Sequence, residues 1–200
     1  MFAAPEVVLD YWFGAPGSAT EIAARQSKLW FGKLPEKDRD IRERYTATFN
    51  AAASGALDSW ADSPRGRLAL VILLDQFPHH IHRDTSLMFA QDSKSLGLCM
   101  AALATGADRQ LSLIERAFLY LPLEHAESVS MQDLSVAQYA QLVAEAAEPE
   151  RKLFDGFLDY AHKHRDVVAR FGRFPHRNEM LGRPSSPEEI EFLKQPGSRF

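Results

Sequence analysis

The sequence predicts an all-α fold on three observations. Apolar residues recur three and four apart through most of the chain, caps and first-turn prolines mark the starts of successive segments, and strand-type alternation is absent throughout.

Pro5 opens the first helix, and Val8, Leu9, Trp12 and Phe13 form its apolar side. The turn from Gly14 to Ser18 breaks it. Thr20 is expected to cap a second helix carrying Ile22, Ala23, Leu29, Trp30 and Phe31, stopped by Gly32. A third begins at Pro35 with Glu36 and Asp38 in its first turn, where acids suit the helix dipole. Ile41, Tyr45, Phe49 and Ala52 follow at about one-turn spacing, and Gly55 closes it.

Ser63-Pro64 caps the next helix, in which Leu68 to Leu74 is apolar all round. Such a run predicts burial on every side, the mark of a central helix. It also suits a buried strand, but the cap, Arg65 and Arg67, and the lack of a second such run favour helix. Asp92 to Ala104 follows, with Gly106 as its stop. Ser112 and Glu115 form a capping box for a helix through Phe118, Leu119 and Leu121 to Pro122. Ser130 with Asp133 starts a stretch reaching about Ala147. Pro149 begins the longest helix, with Leu153, Phe154, Phe157, Leu158, Ala161, Val168 and Phe171 at helical spacing. Ser186-Pro187-Glu188-Glu189 opens a short terminal helix through Phe192.

Two hundred residues, 46% of them hydrophobic, suffice for one helical domain over residues 1–200 with a real core. A net charge of -4 calls for neither a nucleic-acid nor a membrane partner. A single cysteine, Cys99, excludes an intrachain disulfide and suits a reducing compartment. The start from Met1 to Glu6 lacks the basic and long apolar regions of a signal peptide, and no apolar run is long enough to span a bilayer. A cytoplasmic protein is expected.

Chemistry concentrates in three segments: Asp75-Gln76, Glu124-His125, and Arg170 to Asn178. If successive helices alternate in direction, the helices from Pro64, Ser112 and Pro149 point the same way and end on one side. Each end carries a proline with a histidine close by, in Phe77-Pro78-His79, Leu121-Pro122-Leu123-Glu124-His125 and Phe174-Pro175-His176. A carboxylate at Asp75, directly after the most apolar helix, needs a cationic partner, and Arg83, Arg173 and Arg177 are candidates. A buried Asp-Arg tie that fixes helix packing accounts for it equally well.

Glu124 beside His125 is the raw material of general acid-base chemistry, with His176 a further candidate base. Glu124 in an arginine pair and His125 on a backbone carbonyl would satisfy the same residues structurally. Arg170, Arg173, His176, Arg177 and Asn178 can form a forked donor cluster for phosphate or carboxylate. They can also strap the tail to the helices with Phe171 and Phe174 as anchors. His79, His80 and His82 lie in a loop without fixed carboxylates, and His162 and His164 face different directions on a helix, so no metal is expected. No phosphate loop, dinucleotide fingerprint or nucleophile elbow occurs, and no cofactor is expected. Cys99 sits among leucines as an inert thiol.

The blocks Leu73-Leu74-Asp75-Gln76-Phe77-Pro78, Phe118 to His125 and Arg170 to Asn178, together with Val8 to Phe13, resemble the signature of a bacterial family catalogued as domain of unknown function 924. The resemblance spans nearly the whole chain. It implies antiparallel helical hairpins stacked as a tetratricopeptide-repeat-like α-α superhelix, and it supplies no reaction. Members tend to carry arginine-asparagine after the first Phe-Pro, where this chain has His79-His80.

Two functions fit. One is a binding module that holds a small anionic ligand or acidic peptide by Asp75, Gln76, Arg83, Glu124, His125, Arg170, Arg173, His176, Arg177 and Asn178. The other is a hydrolase in which His125 or His176 is the base and Glu124 its orienter.

Overall fold

The computed structural model describes residues 2–199, and among them there is no strand. Helix α1 is Pro5–Phe13, α2 Ala19–Phe31, α3 Pro35–Ala53, α4 Pro64–Val71, α5 Pro78–Ile81, α6 Asp92–Thr105, α7 Leu113–Glu124, α8 Val129–Glu145, α9 Glu148–Phe171 and α10 Pro187–Phe192. The chain is all-α.

Leu68 through Leu74 are 0% exposed, and α4 packs against α1, α6 and α7. This burial follows from a run with no polar side to offer water. Gly66 lets α4 approach the preceding turn, since a Cβ there would collide with the main-chain oxygen of Trp60. Of the aromatic residues picked out in α1 and α2, Trp12, Phe13 and Trp30 fill the space beside it, whereas Phe31, at the end of α2, is exposed. Trp30 lies 4.5 Å from Phe118 between ring centroids, and Trp12 meets Phe77 at 5.7 Å and Phe118 at 5.6 Å. α8 lies along both α7 and α9. A separate small cluster of Val167, Val168 and Phe174, flanked by Phe171 and Phe192, seats the tail.

Two helix starts differ from the sequence reading. Ser18, not Thr20, caps α2, accepting from the Glu21 main chain while Glu21 answers from the other side. Likewise α8 begins after Ser128 rather than at Ser130. At α2 neighbouring Ser18 and Thr20 offered equivalent caps and the residue with extended backbone took the role, whereas Ser128 stands before α8 with extended backbone and no side-chain cap bond.

No helix among the described residues is long and apolar enough to cross a membrane.

Candidate functional site

The site begins with a defect in the central helix. Beyond Val71 the backbone widens into a π-turn over Ile72–Gln76, closed by the Phe77 amide donating to the Ile72 carbonyl at 3.0 Å, before Pro78 starts α5. The chain was expected to leave its helix at Asp75; instead it stays helical with one extra residue in the turn. Such bulges re-aim side chains and occur often at functional sites. Here the turn carries Asp75 and Gln76, both buried.

α7 brings the second component. Its helix was expected to end at Pro122, yet it runs through that proline to Glu124. Pro122 lacks the amide that would have met the Phe118 carbonyl, but the ladder resumes, with the His125 amide on the Leu121 carbonyl at 2.9 Å. The helix end is then closed by a side chain from α8: Gln132 Nε2 donates to the carbonyls of Glu124 (2.6 Å) and Ala126 (2.8 Å). His125 lies between those two carbonyls in the chain.

These two helix ends meet. His125 Nδ1 is 2.9 Å from Asp75 Oδ1, and Gln76 Nε2 donates to Asp75 Oδ2 at 2.5 Å. Asp75 is 1% exposed at its side chain, His125 17%. Burial pushes the Asp75 carboxyl upward, but the His125 charge and hydrogen bond, with Gln76 behind them, hold it below the usual range. Burial pulls His125 down, and Asp75 more than reverses that, leaving the imidazole above its ordinary value. The Nδ1 proton is therefore fixed toward Asp75. Among the described residues His125 Nε2 has no hydrogen-bond partner.

Glu124 and His164 lie behind this pair, with Glu124 Oε1 3.2 Å from His164 Nδ1. Burial raises Glu124 to about 8 and lowers His164 to about 3. Both are neutral near pH 7, so no ion pair joins them, and the His164 Nδ1 proton goes to the Tyr160 carbonyl at 2.9 Å. His79 completes the group, its ring centroid 5.9 Å from that of His125, and burial lowers it to about 3.

His125 lines a cleft of about 380 Å³ with Phe89, Asp92, Leu96, Glu127 and Arg177. Arg177 is 6% exposed, with its guanidinium carbon 4.5 Å from the Phe89 ring centre and 4.8 Å from that of Phe174. It donates through one NH to Asp92 Oδ2 at 2.9 Å. Glu127 is engaged by two Arg183 contacts of 2.6 and 2.8 Å and by the Phe174 amide at 2.8 Å.

The structure therefore gathers Asp75, Gln76, Glu124, His125 and Arg177, and takes the other sequence-selected residues elsewhere. Arg83 grips Asp38 at 2.6 and 2.7 Å, and His80 holds the same carboxylate at 2.8 Å. Arg170 is paired with Glu188 and Arg173 with Glu189, so these two strap α10 to the end of α9. Asn178 is spent on Ser185 and Arg183. His176 packs beside Phe174, off the cleft lining, and burial takes it down to about 4. The carboxylate that His125 Nδ1 meets is that of Asp75, not of Glu124.

Sequence reasoning missed Asp92, Gln132 and His164. His164 had a readable signal, since it shares the spacing of Phe154, Ala161 and Val168 on the buried face of α9. Gln132 and Asp92 had none beyond their places in first turns.

The fold and its cleft define an all-α protein with a buried aspartate-histidine pair at the junction of two helix ends. The chain belongs to the bacterial family of unknown function DUF924, whose model matches residues 8–197. A solved structure of a protein of unknown function from Agrobacterium tumefaciens is 33% identical, covers 95% of this chain and 96% of its own, and superposes with a TM-score of 0.80. No curated protein matches the chain.

Proposed function

We propose that the cleft takes up a small molecule with an anionic group and that His125 exchanges a proton with it or with a water beside it. The observation that carries this reading is the 2.9 Å contact between a sealed Asp75 and a His125 that reaches the cleft. An aspartate behind one imidazole nitrogen fixes the tautomer and leaves the other to work on a substrate. Arg177, in the same lining, supports recognition of an oxyanion.

Among the described residues no serine, threonine or cysteine is hydrogen-bonded to His125, so the proton it exchanges in this reading is that of water or of the ligand. In a hydrolytic version, Nε2 takes a proton from water as its oxygen attacks an ester, amide or phosphoester centre. The same imidazolium returns that proton to the departing oxygen or nitrogen. The stacked helices would serve as a cytoplasmic, tetratricopeptide-like scaffold for this cleft.

A screen of such substrates with wild type, His125→Ala and Asp75→Asn tests the reading. We expect His125→Ala to lose activity by roughly 10²–10⁴-fold. Equal turnover by all three proteins would remove the pair from any mechanism. A binding module without chemistry is the second reading, favoured by the pairing of each charged group in the cleft with another. It predicts saturable binding of an anion with no turnover.

A further inference from the structure

Arg177 differs from Arg173 and Arg183 in how little of its guanidinium is used. Arg173 places Nε and an NH on Glu189, and Arg183 places both terminal nitrogens on Glu127. Arg177 meets Asp92 through a single NH, and its Nε is buried with no hydrogen-bond partner. A guanidinium presents its donors as a planar fork suited to two oxygens. One carboxylate oxygen leaves most of that fork unspent.

The two partners are also held unequally. Phe89 and Phe174 lie against the guanidinium, and its side chain is 8% exposed. Asp92, in the first turn of α6, is 26% exposed and is the outer member of the pair. If Asp92 turned away, the two rings would still hold Arg177 where it is. We infer that Asp92 occupies the seat of the ligand's oxyanion, and that an entering carboxylate or phosphate-like group displaces it from Arg177. The acid is then an internal competitor that sets affinity and screens out ligands too weakly charged to replace it.

The electrostatics agree. Burial raises Asp92 to about 6 despite the opposing pull of Arg177, whereas the arginine-bound Glu127, Glu189 and Asp38 all lie below their usual range. Asp75, buried behind His125, adds to the upward push on Asp92, and His125 eases it. At Asp92, then, burial outweighs the pull of the arginine, whereas at those three carboxylates the arginine prevails.

This inference rests on the cleft being a ligand site, and its test separates the two ideas. Sulfate and, in a second series, acetate are titrated into the full chain near neutral pH while the His125 ring resonances are followed. The proteins are wild type, Asp92→Asn and Asp92→Asn/Arg177→Gln, with Asp92→Ala as a second competitor-free variant should the amide disturb folding. We expect either single variant to bind roughly tenfold tighter than wild type, and the double variant to lose the gain. Sulfate gaining more than acetate would assign a phosphate-like group, and the reverse a carboxylate. If wild type binds with a His125 response but removing Asp92 tightens nothing, the competitor idea falls and the ligand cleft stands. A gain that survives Arg177→Gln also overturns it. If no protein shows saturable binding at His125, both ideas fall.

Discussion

Gln132 Nε2 stands 2.6 Å from the main-chain oxygen of Glu124, so a side chain of α8 closes the end of α7 on which His125 sits. Gln132 is 0% exposed, and without it the carbonyl of the buried Glu124 would lose its donor, as would that of Ala126. Gln132→Met keeps the length and removes the donor. We expect a loss of about 1–3 kcal/mol in urea denaturation. We also expect a lower His125 titration midpoint, because a looser helix end holds the imidazole less well against Asp75. An unchanged midpoint in a folded variant would confine Gln132 to stability.

The Asp75-His125 pair makes stability depend on pH in a definite direction. His125 in the folded chain lies above its ordinary 6.5, so its share of stability is whole below 6.5 and fades as pH climbs through the folded value. Asp75 lies below 3.8, so its share is whole above 3.8 and fades as pH falls through the folded value. The contribution is therefore greatest between those limits. Subtracting the stability curve of Asp75→Asn from that of wild type should give a plateau there, about 1–3 kcal/mol high, that declines on the alkaline side. A difference that grows with pH above 6.5 would contradict the assigned protonation.

Much of this was written in the chain before any coordinate. The apolar run from Leu68 to Leu74, the capping box at Ser112 and the spacing of Phe154, Ala161 and Val168 fix helices because each is a local pattern with a local cause. The meeting of Asp75 with His125 was foreseeable only in outline, since both follow apolar helices that must end beside the core. What stayed hidden was partner choice. Arg173 and Arg177 are four apart and chemically identical, yet one faces Glu189 in α10 and the other Asp92 in α6. That difference arises from the turn at Gly172, with φ of 70°, and the single-turn helix after Phe174, neither of which side-chain spacing encodes.

Glu124 gives a prediction of opposite sign to that of the pair before it. Burial first, and then Asp75, raise its carboxyl to about 8 against an ordinary 4.5, with His125 pulling the other way. The folded chain keeps this proton while the unfolded chain releases it above 4.5, so stability falls as pH rises from 4.5 to about 8. Glu124→Gln retains the shape of the side chain but has no proton to lose. We expect the variant to exceed wild type by at least about 1 kcal/mol near the upper limit, with the advantage vanishing toward the lower one. Chemical denaturation across that range is the measurement, and parallel curves would mean that Glu124 is ionised in the fold.

The division of labour between the two neighbouring arginines can be tested by a crossed comparison. Arg173 and Glu189 hold α10, where Glu189 also accepts from the Ser186 amide at 2.7 Å as part of the helix cap. Arg173→Ala should free that helix while leaving α6, α7 and the cleft as they are. Faster amide exchange and proteolysis confined to residues after about Pro184 are the expected result, with the His125 titration unchanged. Arg177→Gln should do the reverse. Loss of its charge lets the His125 midpoint rise, because Arg177 works against imidazole protonation, although loss of the cation also leaves Asp92 less inclined to ionise. The tail should stay protected, since Glu188, Glu189 and Glu127 keep Arg170, Arg173 and Arg183. If Arg173→Ala moves the His125 midpoint as much as Arg177→Gln does, the strap and the cleft are one cooperative unit, and changes in the tail would reach the site through Phe174.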